Sequence, residues 1–306
     1  MSGVLGAVRG PRRQLEVRAA GRPHLLPLAC SLLISHLSLP LSFSLLTSRA
    51  SALAAQVPQD LLEERAAYAR WLSSARTSPL AAIAQVPVGN GIRLGPPDAD
   101  VPLDGLAERR ITEHAGRVTL QGGGAGRALP RARPVPLGTY TLLASGEPGR
   151  TVISIFGPPR SGAPPAYFPY DSSMVRTVAL EPPLRPAVVR LLAVDGMEVE
   201  AAEAGTVGFT VGGATTRLTV RRIPSEDDES DLVIYFRDPT NGRGSYPAGR
   251  FVTLTPLPDG RYRVDFNRAR NPFCAYSSVY ACPAPWPGNG LPAPVAAGER
   301  YEKGEG

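Results

Sequence analysis

The sequence predicts a mainly β fold: antiparallel sheets in a sandwich or barrel-like arrangement, a short N-terminal helical segment, and an irregular Pro- and Cys-rich C-terminal lobe. Three observations lead there. The 33 Pro and 32 Gly exceed a fifth of the 306 residues, which favours short strands and many turns over long helices. Runs of β-prone residues return at regular intervals, and several alternate polar with apolar, as in RLTV and RYRVDF, the pattern of antiparallel strands with one wet face. The stretch Asp265–Glu299, DFNRARNPFCAYSSVYACPAPWPGNGLPAPVAAGE, fits no regular element and has to be ordered by side chains and covalent geometry.

The chain is expected to begin with a leader over residues 1–55. Arg9, Arg12, Arg13, Arg18 and Arg22 precede a mostly apolar run at 25–46, and small residues follow at Ala50, Ala52, Ala54 and Ala55. That is the order of a secretory signal. An uncleaved membrane anchor is the competing reading, since the run is long enough to span, but Pro27, Pro40 and His36 make it a poor lipid helix. Cys30 sits in a weak lipobox context, Arg12-Arg13 hints at twin-arginine export, and a misplaced start codon would account for part of the segment. Removing residues 1–54 takes out six Arg and one Glu, so the formal net charge falls from +6 to about +1. Every basic residue but Lys303 is Arg, scattered rather than clustered. The folded body therefore gives no electrostatic reason to expect a nucleic-acid partner. Membrane contact is expected only through an uncleaved leader, and the location expected is outside the cytoplasm: periplasm, cell envelope or medium.

Residues 56–85 read as the helical segment. QDLLEERAAYARWLSSAR at 59–76 follows Pro58, carries acids Asp60, Glu63 and Glu64 at the positive end of its dipole, and repeats Leu61, Tyr68, Leu72 and Ala75 at helical spacing. It reads as a helix packed on the β body. Ser78-Pro79 opens a second helical turn to about Ala84.

Residues 86–148 read as a small β subdomain, with strands at Gly91–Leu94, Arg109–Glu113, Arg117–Gln121 and Thr139–Ala144. The succession NGIRLGPPDADVPLDG and GRVTLQGG is similar in cadence to a β-sandwich of the forkhead-associated type. The resemblance is one of fold pattern, and the phosphopeptide-reading loop of that family is not evident. Gly122–Gly126 lacks the Lys-Ser/Thr of a phosphate loop.

Residues 149–306 read as a β-rich C-terminal domain. Strands are expected at Thr151–Phe156, Val175–Leu180, Val188–Val194, Thr206–Val211, Arg217–Val220, Leu232–Phe236, Arg250–Leu254 and Tyr262–Phe266. Turn signals fall at Asp195-Gly196, Gly212-Gly213 and Asp259-Gly260. The acidic run Glu226–Glu229 reads as a solvated loop.

Catalytic templates fail. H-E-x-x-H and G-x-S-x-G are absent, Pro247 stands where a dinucleotide loop needs its third Gly, and His114 is the one histidine beyond the leader. No cofactor is called for. Cys274 and Cys282 form an even pair, which in an oxidising compartment favours a disulfide contributing about 2.5 kcal/mol. Free buried thiols are the alternative. A metal site wants four N or S ligands, and none is expected from one distant histidine. Polar residues cluster around the last strands. Asp238 and Asp265 are the candidate acid or base. Arg250, Tyr246, Asn267, Asn271 and Glu299 are candidate ligand-binding residues, with Arg250 binding an anion. If Phe251–Leu254 pairs with Tyr262–Phe266, Arg250 and Asp265 come to the same end of one hairpin. The architectural alternative has the same Asp and Asn bonding loop amides, and Arg pairing Asp.

The tail D-F-N-x-A-x-N-P-x-C-A-Y, then C-P-x-P, N-x-L-P and A-G-E, resembles an uncharacterised bacterial domain-of-unknown-function family, numbered sixteen eighty-four. So does the upstream set Asp238, Thr240, Gly242, Tyr246, Gly249 and Arg250. The similarity covers about Leu61 to Tyr301. Phe273 departs from it, standing where a second proline is expected. The family has no established activity, so the resemblance names kin without naming chemistry. The expectation is an exported ligand-binding or cell-envelope module with a polar site near the C-terminal lobe, its partner an unknown small molecule. The other reading is a hydrolase acting on a small anionic or carbohydrate-like ligand.

Overall fold

The computed structural model describes residues 56–224 and 230–302. The leader, Cys30 and the acidic run Glu226–Glu229 lie outside the described residues. The helix α1 spans Gln59–Ser74 and buries Leu61, Tyr68 and Leu72, one stripe at the spacing that brings helical side chains to the same face. It stops where Ala75 turns extended, and Ser78 Oγ then accepts the Leu80 N–H to open a turn at Pro79–Ala81. The helical turn expected to reach Ala84 ends sooner. Ala82 already begins a strand, because Ala82, Ala84, Gln85, Val86 and Pro87 find an antiparallel partner in Val152–Phe156. Pairing outweighs the helical preference of alanine.

Nine strands follow α1: β1 Ala82–Pro87, β2 Ile92–Gly95, β3 Val101–Pro102, β4 Arg109–His114, β5 Arg117–Gln121, β6 Arg127–Ala128, β7 Val135–Leu137, β8 Tyr140–Ser145 and β9 Val152–Phe156. They form a four-stranded sheet in the order β1-β9-β8-β7 and a five-stranded sheet in the order β3-β2-β4-β5-β6. All pairs are antiparallel except β2 with β3. Leu94, Ile111, Leu142, Ile153 and Ile155 meet between the sheets. This two-sheet unit takes in β1 and β9 on either side of residues 86–148.

Nine more strands build the rest: β10 Val175–Val178, β11 Leu180–Glu181, β12 Val188–Leu192, β13 Glu198–Val211, β14 Ala214–Pro224, β15 Ser230–Phe236, β16 Arg250–Thr253, β17 Thr255–Pro256 and β18 Tyr262–Asp265. The order β11-β13-β14-β15-β16, with β12 also on β13, makes the main sheet, and β10-β18-β17 covers one of its faces. No sheet closes into a barrel. Gly212 and Gly213, at φ 55° and 80°, join β13 to β14 in a two-residue turn. Positive φ at both central positions is the geometry whose twist matches that of paired strands. Strand β13 is longer than the expected Thr206–Val211. Its first half, EVEAAEAG, has helical composition, but it pairs with β12 and β14 and steps past a bulge between Glu203 and Gly205.

Two cores flank the main sheet. Val207, Leu218, Ile234, Phe236, Val264 and Phe266 fill one face, and the tail residues Leu291, Val295 and Ala297 close it. On the other face Val233, Tyr235, Phe251, Phe273, Tyr280 and Trp286 pack against Leu143 and Phe156 of the first unit and against Trp71 of α1. The hairpin expected to join Arg250 to Asp265 is not formed. Strand β16 pairs with β15, setting Arg250 opposite Phe236, while β18 pairs with β10, setting Asp265 opposite Val175. Only Thr255-Pro256, just past the expected strand Phe251–Leu254, reaches β18. Phe251 bonds Arg270 in both directions across the gap.

Candidate functional site

The polar residues of the last strands and tail fall into two groups. The first is centred on Arg250, which is fully buried. Its Nη2 pairs with Asp238 Oδ2 at 2.9 Å and donates to the Val295 carbonyl at 2.8 Å and to Thr240 Oγ1 at 3.3 Å. Its Nη1 donates to the Ala297 and Glu299 carbonyls. Asp238 Oδ1 in turn accepts the Thr240 and Val295 N–H groups at 2.9 and 3.0 Å. Burial lowers the Arg250 pKa, and the Asp238 carboxylate works against that. The pair clamps the tail to the end of β15. Arg250 spends its terminal nitrogens on the chain itself.

Asp265 and Asn267 are equally occupied. Asp265 Oδ1 accepts the Asn267 backbone N–H at 3.0 Å and side-chain N–H at 2.9 Å, capping the turn Phe266–Arg268. The Asn267 amide also exchanges two 2.9 Å bonds with the Asp171 backbone. The neighbouring arginines hold α1 in place. Arg268 pairs with Asp60, Glu64 and Asp265, Arg270 pairs with Glu64 at 2.6 Å, and Arg65 donates to the Asn267 carbonyl at 3.0 Å.

The second group lies where α1 meets the tail. Glu299 is 1% exposed. Its Oε2 accepts the Asn271 N–H at 2.9 Å and its Oε1 accepts the Tyr276 hydroxyl. Tyr68 of α1 donates to the Tyr276 hydroxyl at 3.2 Å, completing a chain from the helix to the carboxyl. No arginine forms an ion pair with Glu299 among the described residues. Burial pushes its pKa up to about 7, with the Tyr276 and Asn271 hydrogen bonds and the charge of Arg270 pulling the other way. Burial likewise raises the Tyr276 and Tyr68 hydroxyls far above the ordinary tyrosine range. Asn271 Oδ1 is buried without a hydrogen-bond partner, as is Arg65 Nε. The Arg65 guanidinium lies 4.0 Å over the Tyr167 ring and that of Arg270 4.2 Å over Tyr68. Burial lowers the Arg65 pKa.

In the Arg250 and Asp265 centres each carboxylate is balanced by guanidinium and amide donors, and of Arg250 only Nε is left buried without a hydrogen-bond partner. The Glu299 centre is a carboxyl held by neutral hydrogen-bond donors, its pKa raised by burial, with the unpartnered Asn271 Oδ1 beside it. Of the candidates read from sequence, Glu299 and Asn271 meet here. Asp238, Arg250, Asp265 and Asn267 do not. Tyr246 stands apart, its hydroxyl donating to the Cys274 carbonyl at 3.0 Å and lying 3.3 Å from Cys282 Sγ. Cys274 and Cys282 are at disulfide distance, with Cα atoms 5.5 Å apart. Sequence reasoning missed Tyr68, Tyr276, Arg65 and Tyr167. The available signal was the two tyrosines themselves, one in the helix stripe and one in the C-A-Y motif.

A cleft of about 530 Å³ lies elsewhere, between the β1–β9 edge and the β12–β13 hairpin. Its charged groups pair half-exposed, Arg150 with Glu198 at 3.2 Å and Arg190 with Glu200 at 3.4 Å, where water screens them. Among the described residues no helix is long and apolar enough to cross a membrane, and no three His, Cys, Asp or Glu are placed to hold a metal ion.

Residues 165–300 match a family described as protein of unknown function (DUF1684). That range holds every residue of the tail, both cysteines and the Asp238–Arg250 clamp, and leaves α1 outside. The solution structure of an uncharacterized protein from Haloarcula marismortui is 35% identical over 44% of this chain and 75% of that one, with a TM-score of 0.39. No curated protein matches.

Proposed function

The chain belongs to the DUF1684 family, and from that premise we propose that it is an exported ligand-binding module of the cell envelope whose site is the Glu299 cluster beneath α1. One observation carries the reading. Glu299 is a buried carboxyl that no arginine pairs with, although four arginines lie in the same lobe. A buried carboxylate that only holds structure is normally paired, as Asp238 is. Glu299 and Asn271 Oδ1 are two acceptors, Arg65 Nε is a donor, and the Tyr167 ring lies alongside with Arg65 over one face. Hydroxyl-rich, carbohydrate-like ligands use such a mixture of polar and flat apolar partners. The leader's charge and hydropathy order supports export, as does a cysteine pair at bonding distance.

The test is native mass spectrometry and thermal shift of the chain against a panel of mono- and disaccharides and polyols, beside Glu299→Gln and Arg65→Gln. The expected result is a ligand that raises the wild-type midpoint and fails to raise either variant, both variants keeping the wild-type circular dichroism. A ligand that stabilises all three proteins equally sinks the reading.

A second reading, a hydrolase, is favoured by one feature. A carboxyl near 7 is matched to proton transfer at neutral pH. Turnover of a panel member that disappears in Glu299→Gln would move the assignment from binding to catalysis.

A further inference from the structure

We infer that the Cys274–Cys282 bridge is a thiol-exchange site for a dithiol reductant, and that opening it releases Tyr276 from Glu299. The bridge spans eight positions and lies at the surface. Cys282 is exposed and Cys274 half-buried, so Cys282 is the sulfur an incoming thiolate reaches. Two residues after Cys274 the same loop delivers Tyr276 to Glu299 and Tyr68. Tyr246 reads both ends of the bridge, through the Cys274 carbonyl and the Cys282 sulfur, and packs edge-on at 4.8 Å against Tyr301, two residues past Glu299. The bridge, the loop and the carboxyl therefore form one connected unit.

The flanks of the loop are held independently. Phe273 and Tyr280 pack on each other at 5.5 Å and belong to the core beneath, and Phe273 N–H bonds the Val194 carbonyl. Opening the bridge leaves these anchors and frees what lies between them, a local rather than global transition. In the exchange, a reductant thiolate attacks Cys282 Sγ. The S–S bond breaks and its electron pair leaves on Cys274 Sγ, which takes up a proton. The reductant's second thiolate then attacks its own sulfur in the mixed disulfide and releases Cys282, which is protonated in turn. Two electrons and two protons pass to the protein, and the reductant leaves as its disulfide. The opened loop no longer fixes Tyr276, so Glu299 loses its hydroxyl donor and α1 loses its contact through Tyr68. Only the effect on ligand rests on the reading of Glu299 above. The sulfur chemistry stands apart from it.

The experiment uses the full chain in native buffer. Glutathione followed by acid quench and peptide mapping reads which sulfur is attacked. Dithiothreitol followed by amide hydrogen exchange reads what opens. The expected adduct is on Cys282, and reduction speeds exchange about tenfold in residues 272–282 and 59–74 while β15 and β16 hold. Cys274→Ser/Cys282→Ser should show the same open pattern with no reductant present. If that variant does not fold, reduction of the native chain still decides. Reduction that needs denaturant, an adduct on Cys274, or unchanged exchange in α1 would each reduce the bridge to a staple and overturn the inference. A Glu299-dependent ligand found alongside such a result leaves the proposed function intact. A working exchange site with no ligand leaves this inference and removes that reading.

Discussion

Asp238 and Glu299 are both buried carboxyls, and both help to hold the tail, yet the chain treats them in opposite ways. Asp238 faces a guanidinium at 2.9 Å and two backbone amides. Glu299 faces one hydroxyl and one amide. Desolvation penalises either charge, but only Asp238 has a guanidinium in direct hydrogen-bonded contact, while Arg270 acts on Glu299 without an ion pair. A lobe that can place Arg250 fully buried beside one carboxylate has the means to neutralise the other. The difference separates architecture from chemistry within a single lobe more sharply than exposure does, since both are closed to solvent.

The comparison can be broken at four points. Arg250→Ala should have the largest effect, costing about 3–5 kcal/mol, because it strands a buried carboxylate and three carbonyls. Urea unfolding would read it, and Asp238→Asn added to Arg250→Met should recover part of the loss. If Arg250→Ala is stable, the clamp is not architectural. Next comes pH. Glu299 has a folded pKa of about 7 against an ordinary 4.5. The group is raised on folding, so its contribution is fully present below about 4.5 and is lost as pH climbs through 7. Between those limits wild type should lose roughly 3 kcal/mol relative to Glu299→Gln, which carries no such slope. Parallel stability curves for the two proteins would place Glu299 with Asp238. Glu64→Gln, removing the partner of Arg268 and Arg270, should cost about 1–2 kcal/mol, read as earlier proteolysis of α1 with the β midpoint little changed. Arg217→Gln comes last. Its pair with Glu181 is open to water, and no change in the unfolding midpoint is expected.

Much of the β body was legible because its signal is local. Alternation in RYRVDF, the Gly212-Gly213 turn and the Pro58 start of α1 each act within a few residues. The first half of β13 was not, since EVEAAEAG looks helical and becomes a strand only because β12 and β14 lie on either side. Nor was β1, whose partner β9 lies some seventy residues on. The candidate residues lie in one lobe, but their sorting depends on partners far along the chain. Tyr68 and Tyr276 are 208 positions apart, and nothing in either neighbourhood announces the other. Arg250 and Asp238 are 12 apart, yet their clamp makes sense only once Val295 and Ala297 arrive.

That late arrival has a consequence for how the protein is made. Val295 and Ala297 are fully buried in the main core, and Asn289 bonds the Thr219 backbone and the Tyr235 carbonyl. The strands that need these residues leave the ribosome well before them. A growing chain thus holds a bare sheet face and an unmatched Arg250 until its closing segment emerges, and translation ending at residue 288 should give a protease-sensitive product. Maturation of the C-terminal half is gated by synthesis itself: the tail is the part that turns an open sheet into a finished fold.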